Sequence, residues 1–252
     1  DLKDNEALIG EHPEYAQGYQ NRLRIGGVKI FLDGSPQGRT AWMSEPYLGA
    51  DSQYCGYPVY TDDQVDAFID EAMGHHWQLL THCNGDAAAE QLIRCTQRQQ
   101  ARHPEAAALR PVMIHAQLVR RDQLPRMKAL NMTASFFTAH CWYWGDIHLR
   151  NFGQPRGGNI SPMRWAIDEG LNVTMHQDTP VIMPNMLESV ECACRRVTKG
   201  GQALNPELRI TPLEALQAVT INAAWQYHEE DRKGSLEEGK LADLVILEKN
   251  PL

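Results

Sequence analysis

Four short apolar runs in this chain end in the same way, and that repetition restricts the fold more than any other feature. Leu171-Asn-Val-Thr-Met175 leads through His176-Gln177 to Asp178 and is closed by Pro180. Trp77-Gln-Leu-Leu-Thr81 leads to His82, and Pro111-Val-Met-Ile114 leads to His115. Gly27-Val-Lys-Ile-Phe-Leu32 carries Lys29 inside it and ends at Asp33-Gly34. Apolar, β-branched runs bounded by Gly and Pro read as buried strands. In a sheet of parallel strands, polar groups at the C-terminal tips converge on one face, where ligands bind. His115 follows His82 by 33 residues, about one βαβ repeat of ~30 residues. Asp178 follows after 63 more, about two repeats, so a further strand belongs between them, and Asn131–Phe137 fits it. Taken singly, each His reads as a satisfied buried histidine and Asp178 as a helix cap. Three of them at strand tips in repeat register point to a shared divalent metal.

The bulk properties agree with a single α/β unit. The chain has 252 residues and is 42% apolar, enough for one sizeable core. Net charge is −8 and no basic block occurs, which argues against nucleic acid as a partner. No apolar run approaches the ~20 residues a bilayer span needs, and no signal-peptide pattern is present. The first residue is Asp1 rather than Met, so a processed or trimmed N-terminus is expected. Six cysteines, without paired CxxC spacing, read as free thiols in a reducing compartment, and a cytoplasmic location is expected.

Taken in order, the chain should begin with a short helix over Tyr15–Arg22. Lys29 lies in an apolar run, so its head should sit near a polar site, because a buried lysine needs a partner or a changed charge. Carbamylation would make it a carboxylate able to bridge two cations. The segment from Asp33 to Tyr60 is rich in Gly, Pro and Tyr and should cover the strand tips. Thr61-Asp-Asp-Gln64 should cap a helix. Asp86 either caps the helix Ala87–Arg102 or orients His82 as a hydrogen-bond acceptor. A further helix is expected over Arg120–Leu130. Thr138–His148 crowds three aromatics, two histidines and an aspartate into eleven residues. It reads as a substrate wall built from Trp142, Trp144 and Asp146, with His140 placed to touch a reacting carbonyl. An aromatic plug that only packs is the competing reading. Helices are also expected over Asn159–Gly170 and Pro184–Lys199, and from the capping box Thr211-Pro-Leu-Glu214 to near Trp225. Short strands are expected within Lys233–Leu247.

The segments Thr211-Pro-Leu-Glu-Ala-Leu216, Ile221-Asn-Ala-Ala224 and Gly234–Leu247 closely resemble the C-terminal signature of the amidohydrolase superfamily. Together with Val28–Ser35, His82-Cys-Asn-Gly-Asp86, Ala139-His140, Tyr143-Trp-Gly-Asp146 and His176–Val181, they resemble its YtcJ-like branch. That branch includes N-substituted formamide deformylase and proteins labelled exoenzyme regulatory protein AepA. The resemblance runs from about Arg24 to the end. It implies a (β/α)₈ TIM-type barrel with metal at the strand C-termini, and His82, His115 and Asp178 as metal-site residues from strands five, six and eight. Lys29 matches the strand-four position, where a carbamylated lysine bridges metals, and Asp178 would be the proton shuttle. The superfamily's first-strand His-x-His occurs nowhere in this sequence. By strand count the chain carries strands four to eight, so an incomplete barrel over 1–232 and part of a small β-sandwich over 233–252 are expected. Gln177 stands where the branch usually has a serine.

These readings lead to one expected chemistry: hydrolysis of a non-peptide amide C–N bond by metal-activated water. Asp178 would move the proton, His140 would stabilise the oxyanion, and one or two zinc ions would suit the mixed N/O donors. The alternative is a regulatory or binding protein on the same scaffold. The partners expected are a small-molecule substrate and no membrane. Unpaired strand edges would favour a homo-oligomer or a complementing N-terminal segment.

Overall fold

Each strand-forming run pairs with the next one along the chain. The computed structural model describes residues 2–51 and 53–252. Strands β1 (Val28–Phe31), β2 (Leu79–Cys83), β3 (Val112–His115), β4 (Thr133–Phe136) and β5 (Val173–Met175) form one parallel sheet in the order β1-β2-β3-β4-β5. The helices are α1 (Leu2–Glu11), α2 (Pro13–Gln17), α3 (Asp62–Gly74), α4 (Asp86–Arg102), α5 (Leu124–Ala129), α6 (His140–Tyr143), α7 (Gly145–Gly157), α8 (Met163–Asp168), α9 (Met186–Arg195), α10 (Pro212–Val219) and α11 (Ile221–Gln226). Parallel neighbours need a crossover between them, which is why helices alternate with strands. The chain is an α/β fold of this kind.

Register decides which side chains share a face. Phe31, His82, Ile114, Ser135 and Thr174 stand level across the five strands. The residues one step out of phase, among them Ile30, Met113, Ala134 and Val173, turn to the other face. There they pack against Val65 and Ile69 of α3, Leu92 and Ile93 of α4, Met127 of α5 and Ala215 of α10. This is the main apolar core. The level row forms the opposite, inner face. At its β1 end Lys29 and Phe31 are exposed, Phe31 at 48%.

The helix caps follow the sequence. Thr61 accepts from the Gln64 amide and the Gln64 side chain returns to the Thr61 amide. Thr211 and Glu214 do the same at α10, with Pro212 at the first helical position. Reciprocal pairs of this kind satisfy two orphan N–H groups.

Several elements differ from expectation, each for a local reason. In place of one helix over 15–22, α1 and α2 come earlier, and Gln20 and Leu23 bridge across Asn21 and Arg22, both at positive φ. The helix expected from Asn159 starts only at Met163, because Ser161 is left-handed (φ 47) and Pro162 cannot donate into a preceding turn. Gly170 (φ 73) closes it, as expected. The helix expected over 184–199 is trimmed to Met186–Arg195 by left-handed Arg196 (φ 50). The run toward Trp225 breaks at Thr220 into α10 and α11. Among the described residues, 233–252 form no strand, and Leu244, Val245 and Ile246 are 62%, 77% and 90% exposed. Strand-like sequence there finds no ladder to join.

The long segment after β1 folds back on the molecule. The Leu32 carbonyl receives the Val59 amide, Tyr47 is buried against Phe152 of α7, and the Leu48 amide reaches the Asn151 carbonyl. At its centre the Trp42 carbonyl lies so close to Gly85 that any Cβ there would overlap it. Gly85 is therefore required at the β2–α4 turn.

Candidate active site

The tips of β1 and β2 are joined by one carboxylate. Asp33, only 3% exposed, accepts from the amides of Trp42 (3.0 Å), Asn84 (2.9 Å) and Gly85 (2.7 Å). Its Oδ1 also lies 3.3 Å from His82 Nδ1, close enough for charge attraction to orient the ring. On the other edge of that ring, His82 Nε2 lies 3.1 Å from the Asn84 amide nitrogen, which also donates to the Gly34 carbonyl. That contact makes Nε2 the acceptor, so the His82 lone pair is taken up by Asn84. Asp86, the sequence candidate for orienting His82 or capping α4, does neither. The α4 cap is Gly85, with no side-chain bond. Asp86 instead accepts from the Ser44 amide (2.9 Å), the Ser44 hydroxyl and Arg120 (2.9 Å), pinning the long loop to the turn ahead of α5.

His115 reaches the same place by leaving the strand alternation. Ile114 stands level with His82, so strict alternation would aim His115 at the helices. Its backbone turns left-handed at φ 75, followed by Ala116 at φ 45, and the imidazole comes to the inner side. Its ring centroid lies 4.6 Å from that of His82 and 4.8 Å from that of His176. Its Nε2 lies 4.0 Å from Asp178 Oδ2, a carboxylate 37% exposed on a left-handed residue (φ 52). Burial holds the His115 imidazole well below the usual histidine range, and the neighbouring His176, His82, His140 and Lys29 push the same way.

His176 is the site residue that the sequence reading did not single out. Its Nε2 lies 3.1 Å from His115 Nδ1, and its Nδ1 lies 2.9 Å from the Ser135 hydroxyl. Removal from water drives its pKa down to about 3, with the charges of Lys29 and His82 adding to the effect. The signal was present: Thr174, His176 and Asp178 fall two apart, and period two carries all three along one side of a strand. Ser135, level with His82 in β4, belongs to the same row.

The structure thus sets His115 beside both His82 and Asp178, with Lys29 on the open flank of the same face. The wall expected over 138–148 is divided. His140 is 4% exposed, its ring against Phe137 (4.7 Å) and Trp144 (4.6 Å) and 6.5 Å from His115. Trp144 therefore backs His140. Trp142 is 38% exposed and lines a separate hollow of about 270 Å³ with Glu188, Glu191, Cys192, Arg195 and Val197. Asp146 accepts from Thr198 (2.7 Å), the Gly200 amide (2.9 Å) and Gln202 (3.2 Å). These bonds tie the 198–202 turn to α7, and the Thr198 bond above all holds the Asp146 carboxyl below its usual range.

Imidazole and carboxylate oxygen are the donors that zinc and related divalent ions accept. The neutral imidazoles of His115 and His176 and the carboxylate of Asp178 are of the donor types such an ion accepts. Among the described residues, no three His, Cys, Asp or Glu side chains stand ready to share one ion. Among the described residues no helix is long and apolar enough to cross a membrane.

A sequence model of the amidohydrolase family, Amidohydro_3, matches residues 1–252. The putative amidohydrolase YtcJ of Bacillus subtilis is 25% identical over 235 residues, covering 91% of this chain and 43% of YtcJ. N-substituted formamide deformylase of Arthrobacter pascens is 26% identical over 235 residues, covering 91% of this chain and 42% of that protein. The crystal structure of an uncharacterized metal-dependent hydrolase from Pyrococcus furiosus superposes with a TM-score of 0.79 at 28% identity, over 97% of this chain and 49% of the other. The chain therefore spans about half the length, or somewhat less, of the proteins it matches.

Proposed function

The chain belongs to the amidohydrolase family, in the YtcJ-like branch, and from that premise we propose that it carries the metal-side half of a hydrolase acting on a non-peptide amide C–N bond. The observation that supports this reading is that His115 lies beside both His82 and Asp178 at the strand C-termini. The names of its relatives, a formamide deformylase and a metal-dependent hydrolase, support the bond class and the ion. His82, His115 and Asp178 would hold a divalent ion, zinc by donor type, with Lys29 as a further ligand if carbamylated. Bound there, the ion would lower the pKa of its water toward ~7 and polarise the substrate carbonyl. Asp178, a partly exposed carboxylate, takes the proton from the attacking water and delivers it to the departing amine. His140 donates to the carbonyl oxygen as it gains charge. Asp33 holds His82 in place, and Ser135 through His176 holds His115.

In this reading residues 1–232 are part of a larger barrel and residues 233–252 part of a small β-sandwich. The β1 flank, where Lys29 and Phe31 face water, is where a complementing segment or a second copy would close the pocket. Elemental analysis together with hydrolysis of an N-substituted formamide tests the proposal. Bound metal and turnover lost in Asp178→Asn are expected, and full turnover in that variant would overturn it.

A second reading has one observation in its favour. Because no three ligands stand ready to share an ion among the described residues, the scaffold would serve as a regulatory or binding protein. Failure to take up zinc, cobalt or manganese at any concentration would favour it.

A further inference from the structure

A buried pair of histidines lies behind the proposed site. His140 Nδ1 and His148 Nε2 are 3.0 Å apart, with the rings nearly parallel at 17°. His148, in α7, is 0% exposed and packs on Phe152. Burial holds His140 well below the usual histidine range and pushes His148 down to about 3, so both imidazoles are neutral near pH 7. A neutral imidazole has one N–H and one lone pair. The contact therefore has two possible polarities, and they differ at the two outer nitrogens.

If His140 Nδ1–H donated to His148 Nε2, His148 would carry its proton on Nδ1. Among the described residues no protein group meets that nitrogen, which is fully buried. A buried N–H without an acceptor is the rarer and costlier orphan. With the opposite polarity, His148 Nε2–H donates to His140 Nδ1, and only a lone pair remains at His148 Nδ1. His140 then carries its proton on Nε2, the nitrogen that no protein side chain occupies among the described residues. Phe137 and Trp144 hold the ring against rotation that would exchange the two edges.

We infer that His148 is a positioning residue that fixes His140 as an Nε2–H donor, so that this corner of the site accepts a ligand oxygen carrying lone pairs and rejects a donor group. The catalytic use of that donor rests on the function proposed above; the tautomer itself does not. The matching ligand class is a carbonyl, or the oxyanion it becomes.

Long-range ¹H–¹⁵N correlation of the ¹⁵N-histidine-labelled full chain near pH 7 reads the tautomer directly, with the His140 signals assigned by their loss in His140→Gln. The expected spectrum shows His140 protonated on Nε2. His148→Phe removes the donor while keeping a flat ring and should bring a population of Nδ1–H at His140. His148→Gln keeps an N–H at the same reach and should restore Nε2–H. Protonation of His140 on Nδ1 in the unaltered chain overturns the inference, and that measurement needs no variant to fold. Persistence of pure Nε2–H in His148→Phe also overturns it. In a formamide hydrolysis assay, His148→Phe should lower kcat at least tenfold, less than the roughly 10²–10³-fold of deleting an oxyanion donor outright, and leave KM within about twofold. An Nε2–H spectrum combined with unchanged kcat would remove His140 from the catalytic scheme and leave the tautomer assignment standing.

Discussion

His176 Nε2 stands 3.1 Å from His115 Nδ1, and the far side of the His176 ring is tied to Ser135 at 2.9 Å. The polar chain Ser135–His176–His115 fixes which nitrogen of His115 faces Asp178. A histidine that holds another histidine in this way acts on the ligand's tautomer and orientation. His176→Phe should therefore keep the fold while weakening divalent-ion affinity by about 10- to 100-fold. Competition with a chromophoric chelator measures this, and affinity equal to the parent would mean that His115 needs no such support.

Asp33 is the acceptor for three amides and lies beside His82. Asp33→Asn keeps the shape but turns one oxygen into a donor facing N–H groups. Hydrogen bonds to a charged group contribute about 1.5–3 kcal/mol each, and the amide retains some of them. A loss of about 3 kcal/mol in urea unfolding is expected. A loss below about 0.5 kcal/mol would show that the tip of β1 is held by other means.

The pH dependence has a definite sign. His148 has a folded pKa of about 3 against about 6.5 when unfolded. Between those values the unfolded chain binds the extra proton, so stability rises with pH, and the contribution is lost as pH falls from about 6.5 toward 3. One such group contributes a slope of about 1.4 kcal/mol per pH unit in the middle of the window. Urea unfolding of His148→Phe between pH 4 and 6 should show a slope shallower by about that amount, and parallel curves would contradict the buried neutral state.

Arg196 is 1% exposed and donates to the carbonyls of Asn205, Gly158, Ile160 and Ser161, with no carboxylate among these partners. Burial lowers its pKa, yet a guanidinium stays charged. Arg196→Met would leave those carbonyls unpaired in the interior, and a loss of about 3–5 kcal/mol is expected. Chemical denaturation measures it. A variant as stable as the parent would show that water replaces the guanidinium without cost.

The spacing of strand-forming runs was enough to read the sheet, because the βα repeat is a local pattern repeated at fixed length. The caps at Thr61 and Thr211 were readable for the same reason. The partner of His82 was not readable in this way. Asp86 lies four residues after His82, but the carboxylate beside that histidine comes from the neighbouring strand, and strand adjacency is not written in local sequence. His115 was named correctly as a strand-tip residue, while the left-handed turn that brings it inward depends on packing around it. The strands expected within 233–247 find no ladder here, because β pattern alone makes no strand; a ladder needs a partner.

The Asp33 carboxylate has one more consequence. It gathers the backbone of Trp42, Asn84 and Gly85 at a single point, so those three N–H groups cannot be uncovered one at a time. Any motion that frees the long loop must also release the turn beyond His82. In deuterated solvent the three amides should exchange at a common rate, a single clock for the opening of this corner of the protein.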